Sequence, residues 1–127
     1  MAEGFVEKRG LKEVKNKLLE RFPEFQISEE RSQVYDDDGA YVYFQYFYYY
    51  IEKLVNQQRD GDVVYRMFDF INEVFESKEL DKYVWDLFNI ELFELFEQNS
   101  RLKELALEKL RGRALLAMTD KKGRPEE

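Results

Sequence analysis

YVYFQYFYYYIEKLVN, residues Tyr41 to Asn56, decides how this chain folds. Its first ten residues hold six tyrosines and two phenylalanines. Tyrosine, phenylalanine and valine favour strands intrinsically. Strict alternation is absent, however, and the stretch runs on into IEKLVN, which reads as helix. Ala40, Phe44, Phe47, Ile51, Leu54 and Val55 recur at spacings of three and four. At 100° per residue they share an arc of roughly 100°, so the spacing predicts a helix from Asp38 to Gln57. Val42, Tyr46, Tyr49 and Lys53 lie on the opposite side. Tyr41 and Tyr48 occupy one flank, Tyr43 and Tyr50 the other. A helix apolar or aromatic nearly all round has two uses: it is central and packed on several sides, or part of it serves a partner. The buried stripe uses phenylalanine, whereas the far side uses tyrosine, whose hydroxyl needs water or a partner. Both uses fit these residues.

Upstream, SEERSQVYDDD (residues 28–38) reads as a polar connection. Asp36, Asp37 and Asp38 are expected to cap the aromatic helix and to complement its positive end. They lack the alternate spacing of a calcium loop. Before them, Leu11, Val14, Leu18 and Phe22 mark one face of a first helix over Phe5 to Arg21, which Pro23 stops. Phe22, Phe25 and Ile27 read as a short extended lid. Downstream, RDGD (residues 59–62) is a turn with Asp62 as helix cap. Val64, Met67, Phe68, Ile71, Val74 and Phe75 define a helix over Val63 to Glu76. Ser77 is expected to open the next, with Leu80, Tyr83, Val84, Leu87 and Phe88 inward. Trp85 falls off that stripe, in a groove or exposed, and Asn89 is expected to interrupt the helix. Glu91, Glu94 and Glu97 form an acidic row, either a solvated face or part of a docking surface. A last helix is expected over Arg101 to Met118, followed by the disordered tail TDKKGRPEE.

Composition narrows the function classes. Among 127 residues there is no cysteine and no histidine. Disulfides, thiolate metal sites, Ser-His-Asp and Cys-His arrangements and most zinc sites are thereby excluded. No Gly-rich phosphate loop and no HExxH motif occurs. No apolar run reaches the ~18 residues that span a bilayer, and the N-terminus does not read as a signal peptide. The formal net charge is −7. It concentrates in residues 28–99, with 17 acidic and 6 basic side chains. Such a body repels nucleic acid and anionic membrane, attracts basic protein surfaces, and favours solubility.

RFPEF (Arg21 to Phe25), the acidic lead into the aromatic helix, and FDFINEVFESKELDKYVWDLFNIELFELF (Phe68 to Phe96) together resemble a bacterial family of short, acidic, all-helical domains. Some members of that family resemble the immunity proteins of polymorphic toxins. The likeness spans residues 14–98, and the dense tyrosines depart from the family pattern. The resemblance implies a cytoplasmic helical protein without enzyme activity.

The expected fold is therefore all-α, one domain of five to six antiparallel helices over residues 1–118, with HEAT-like stacking and a tail over 119–127. The expected function is a protein-binding module, an immunity- or antitoxin-type inhibitor that neutralises a basic toxin through an acidic, tyrosine-rich face. Tyr46 and Tyr49 are the expected anchors, with Asp37, Asp38, Glu52 and Asp60 as charge partners. No cofactor, metal, nucleic acid or membrane partner is expected. The alternative is a structural or regulatory protein that self-associates as a homodimer through the aromatic helix. A third reading, carboxylate catalysis, needs a pocket holding two carboxyls of raised pKa.

Overall fold

The aromatic stretch forms the helix around which the rest of the chain is arranged. A computed structural model describes residues 7–59 and 61–126. Every regular element among the described residues is a helix, with no strand. Helix α1 (Arg9–Arg21) buries Leu11, Val14 and Leu18, the stripe read from the sequence. Phe5, within the expected first helix, lies outside the described residues. Phe22 leaves the helical region because Pro23 follows it.

Pro23 then opens a one-turn helix, α2 (Pro23–Gln26), at the position where its fixed φ suits a helix start. The expected extended lid is thus a helical turn. Phe22 and Phe25 still close the core, while Ile27 is 89% exposed rather than part of the lid. A 3₁₀ turn (Arg31–Gln33) leads to buried Val34.

Helix α3 (Ala40–Asn56) buries all six residues of the predicted stripe, together with Tyr43, Tyr48 and Tyr50. Helix α4 (Asp62–Glu76) follows, with Gly61 as its cap and Asp62 already inside, paired with Arg66 at 2.7 Å. Helix α5 (Lys82–Phe88) starts later than expected. Its cap is Asp81, not Ser77, and the Asp81 carboxylate accepts from the Val84 N–H at 2.8 Å. Asn89 does not interrupt the rod. The chain continues through a π-helical segment (Asn89–Phe93) into α6 (Glu94–Phe96). The Asn89 side chain donates to the Trp85 carbonyl at 2.9 Å inside that segment. Trp85 is buried in a groove, 8% exposed.

The expected last helix is two helices, α7 (Ser100–Lys109) and α8 (Gly112–Asp120). Leu110 and Arg111 are extended, and Gly112 has φ +55°. The break is held by Asn72 of α4, a buried side chain. Its amide donates to the Lys109 carbonyl and its oxygen accepts from the Arg111 N–H, both at 3.0 Å. Counting Lys82–Phe96 as one rod, the described residues form seven helices, not five to six. The helical lid and the broken last helix account for the difference.

HEAT-like stacking, in which each helical pair meets only its neighbours, is not the arrangement. Helix α3 touches α1, α4, the π segment and α7, while α1 also meets α5 and α4 also meets α8. The chain closes around a hub. The hub is joined by rings: Phe22–Phe47 at 4.9 Å, Phe44–Phe88 at 5.2 Å, Phe75–Phe88 at 5.5 Å and Phe68–Phe96 at 5.7 Å. Each tilted or edge-on pair adds about 0.5–1.5 kcal/mol to the burial of its surface. No helix is long and apolar enough to cross a membrane among the described residues.

Candidate aromatic docking face

Neighbours decide which tyrosines of α3 reach the surface. On one flank, the Tyr48 hydroxyl lies 3.4 Å from Glu52 Oε2 and 3.3 Å from the Leu95 carbonyl. Burial, with the nearby Glu52 carboxylate, pushes this hydroxyl far above the usual tyrosine range. On the other flank, Tyr43 lies under two cations, Arg31 at 4.9 Å and Lys15 at 5.1 Å from its ring centre. Tyr50 packs on Phe25 at 5.8 Å. These three tyrosines belong to the core.

What remains is a narrower stripe. Val42, Gln45, Tyr46, Glu52 and Lys53 are half-buried, and Tyr49 is 41% exposed. The Tyr46 and Tyr49 rings meet edge to face at 5.3 Å. Gln45 Nε2 donates to the Tyr49 hydroxyl at 3.1 Å. Two aromatic edges are thus held in place at the surface, which lowers the ordering cost of binding.

The expected charge partners are distributed unevenly. Glu52 shares the stripe with Tyr46 and Tyr49. Asp37 and Asp38 precede the start of α3, roughly 14 Å from Tyr49 by helical rise from Ala40. They do not cap α3. Gly39 is the cap residue, and the first helical N–H, that of Ala40, is taken by Glu7 Oε2 at 2.5 Å. Asp38 instead accepts from the Tyr35 N–H at 2.8 Å, closing its own turn, and Asp36 pairs with Arg31 at 2.8 Å. A short polar side chain that can close a local turn competes with capping. Asp60 lies outside the described residues.

Asp37 and Asp38 nevertheless reach the same surface. With Glu7 and Lys8 they border a cavity of about 630 Å³ whose apolar wall is Leu11, Tyr41 and Val42. This groove opens at the N-terminal end of the stripe, because Val42 belongs to both. A second cleft, of about 670 Å³, lies between α1, the end of α4 and the loop before α5, away from the tyrosines.

Asp86, which the sequence reading did not single out, and Glu91, from its acidic row, both act electrostatically on Tyr41. Its hydroxyl is pushed up by burial, then by the charges of Asp86 and Glu91. Glu91 is half-buried, and burial, with Glu94 nearby, pushes its carboxyl up. The Glu91, Glu94, Glu97 row was visible in the sequence, but its closeness to Tyr41 depends on the π segment packing on α3. On the opposite flank Glu30 binds Lys53 at 2.9 Å. The stripe is therefore aromatic, with carboxylates on both flanks. Among the described residues, no group of three or more carboxylates is placed to hold a metal ion.

The profile of a domain family of unknown function, DUF7674, matches residues 15–122. The chain belongs to this DUF7674 family. The match runs from within α1 to beyond α8, so the whole hub and the aromatic stripe lie inside the family domain. It extends past the stretch on which the resemblance was read, through α7 and α8. No curated protein and no solved structure matches the chain.

Proposed function

We propose that the chain is a protein-binding module whose Tyr46–Tyr49 stripe docks a basic protein surface. One observation carries this reading: a fixed, solvent-facing aromatic pair with carboxylates on both flanks. Tyrosine gives large contact area for little lost side-chain freedom. Acidic flanks speed encounter with a basic partner and disfavour wrong ones. In the finer form of the reading, the chain is a cytoplasmic, bacterial immunity- or antitoxin-type inhibitor. The stripe then covers the substrate path of a basic toxin, with Tyr46 and Tyr49 as anchors and Glu52, Asp37 and Asp38 as charge partners.

The test is capture of partners from the native host at low and at moderate salt, using wild type and the Tyr46→Ala/Tyr49→Ala double variant. A basic protein held by wild type, released by salt and lost with the double variant is the expected result. A partner retained by the double variant overturns the reading. So does a stable dimer of the purified protein that the double variant dissociates, because the stripe would then serve self-association.

A further inference from the structure

The groove at the head of the Tyr46–Tyr49 stripe joins an apolar wall to carboxylates that no side-chain cation balances. Val42 stands four residues before Tyr46 and seven before Tyr49, on one face of α3. Groove and stripe thus form a single line, about 10 Å long from Val42 to Tyr49 by helical rise. The wall is Leu11, Tyr41 and Val42. The groove, of about 630 Å³, lies inside the range of roughly 300–1,000 Å³ over which clefts hold ligands. It has room for a large side chain with its adjoining backbone.

The charges on the rim differ in what they leave available. Glu7 is engaged within the chain: its side chain is 6% exposed, Oε2 accepts from the Ala40 N–H at 2.5 Å, and Lys15 Nζ lies 3.9 Å from Oε1. Lys8 Nζ lies 5.0 Å from the centre of the Tyr83 ring, which does not line the groove. Asp38 keeps one carboxylate oxygen. Its Oδ2 accepts from the Tyr35 N–H at 2.8 Å, and its backbone carbonyl, not its carboxylate, accepts from Lys15 Nζ at 3.1 Å. Asp37 is exposed, and among the described residues its side chain makes no ion pair or hydrogen bond. Two adjacent carboxylates therefore border an apolar wall with no side-chain cation bound to them. An apolar group alone would leave these charges unanswered, and a cation alone would leave the wall wet.

We propose that this groove seats one large apolar side chain of the basic partner, and that Asp37 and Asp38 hold a lysine or arginine next to it in the partner's chain. The inference rests on the proposed docking function and deepens it by giving the chemistry of one contact. Burial of the apolar side chain against Leu11, Tyr41 and Val42 supplies affinity. The neighbouring carboxylates select for a cation and disfavour an acidic segment.

The test is a nuclear magnetic resonance titration of the full chain, methyl-labelled at leucine and valine, at low salt. The probes are acetyl-Lys-Phe-Lys-amide, acetyl-Lys-Ala-Lys-amide and acetyl-Glu-Phe-Glu-amide. Saturable shifts of the Leu11 and Val42 methyls with Lys-Phe-Lys are expected. Lys-Ala-Lys should bind at least about tenfold more weakly, from the lost burial of the ring, and Glu-Phe-Glu should not saturate. The variant Asp37→Asn/Asp38→Asn, whose amide oxygen can still accept from the Tyr35 N–H, should weaken Lys-Phe-Lys about two- to fivefold, the worth of an exposed ion pair. It should keep the preference over Lys-Ala-Lys. No saturable binding, equal affinity for Lys-Phe-Lys and Lys-Ala-Lys, an affinity untouched by the double variant, or shifts that bypass Leu11 and Val42 overturn the proposal. So does binding that emerges only with Phe5→Ser, which would assign the groove to the chain's own residues before Glu7. A stable dimer that Val42→Arg dissociates overturns it too, assigning the groove to a second copy. These readouts do not involve Tyr46 or Tyr49. Failure here with loss of partner capture by the tyrosine variant removes the groove contact alone. Success here with capture retained by that variant removes the tyrosine anchors alone.

Discussion

At the scale of single residues, Gly10 and Glu91 show how a contact can reverse an ordinary expectation. Glycine inside a helix usually costs about 1 kcal/mol relative to alanine. At Gly10 a Cβ would meet Asp81 Oδ2 at 2.0 Å and Asp81 Cγ at 3.0 Å. That carboxylate is the cap of α5, so it cannot swing away without losing its bond to the Val84 N–H. A lost cap costs about 1 kcal/mol, and the displaced packing adds to it. The lost cap offsets alanine's ordinary gain, so Gly10→Ala is expected to bring no stabilisation, and the displaced packing should leave the denaturant midpoint slightly lower with an unchanged slope; a raised midpoint would contradict this contact. Glu91 presents the converse case. Its carboxyl is pushed up by burial and by Glu94, so its ionised form disfavours the folded state at neutral pH. Glu91→Gln should therefore raise stability at pH 7. The advantage should shrink as the pH falls through the raised folded value and vanish below about pH 4, where the unfolded side chain is also protonated. Asp86 and Glu73 behave oppositely. Arg124 and Arg21 hydrogen-bond them and hold their carboxyls below the usual range. Their contribution is present at neutral pH and is lost as the pH falls below the unfolded carboxylate values. Denaturation curves of wild type and Glu91→Gln at pH 7 and pH 4 check the sign.

At the scale of elements, the break between α7 and α8 depends on a side chain from a different helix. Asn72 satisfies a carbonyl before the break and an N–H after it, and it is itself buried. Asn72→Ala leaves both groups without that partner and should cost about 2 kcal/mol. An equal unfolding midpoint for wild type and variant would contradict this role. The same pair of bonds explains why the last helix read as continuous from sequence. Leu102, Leu105, Leu110 and Ala114 keep an apolar pattern across the break, and all four are buried. Only Gly112 marked the position, and a single glycine inside a helical pattern is weak punctuation. The missed cap of α3 has a similar cause. DDD beside a helix start looks like a cap, but the group that reaches the Ala40 N–H is Glu7, 33 residues away. Long-range partners of this kind leave no local spacing to read. The π segment is another case: Asn89 looked like an interruption, yet the rod absorbs it with a side-chain bond to the Trp85 carbonyl.

At the scale of the whole molecule, the all-helical class and the core stripe of α3 were legible because spacing along one helix needs no knowledge of neighbours. The fate of the tyrosines was not legible. Tyr43, Tyr48 and Tyr50 are buried by Arg31, Leu95 and Phe25, each from a separate segment. The aromatic helix is thus mostly a hub, and its available face reduces to the Tyr46–Tyr49 stripe. That face sits in an acidic body, so partner binding should weaken steeply with salt. A fall in affinity of less than about twofold between 50 and 300 mM salt would contradict an electrostatically steered contact. The most direct measurement is tyrosine footprinting by nitration and mass spectrometry, on the free protein and on the protein with its captured partner. In the free protein Tyr35, Tyr49 and Tyr65 should react readily, while Tyr43, Tyr48 and Tyr50 stay protected. With the partner bound, Tyr46 and Tyr49 should lose reactivity while Tyr35 and Tyr65 keep theirs. Unchanged reactivity of Tyr49 in the complex would contradict docking at this stripe.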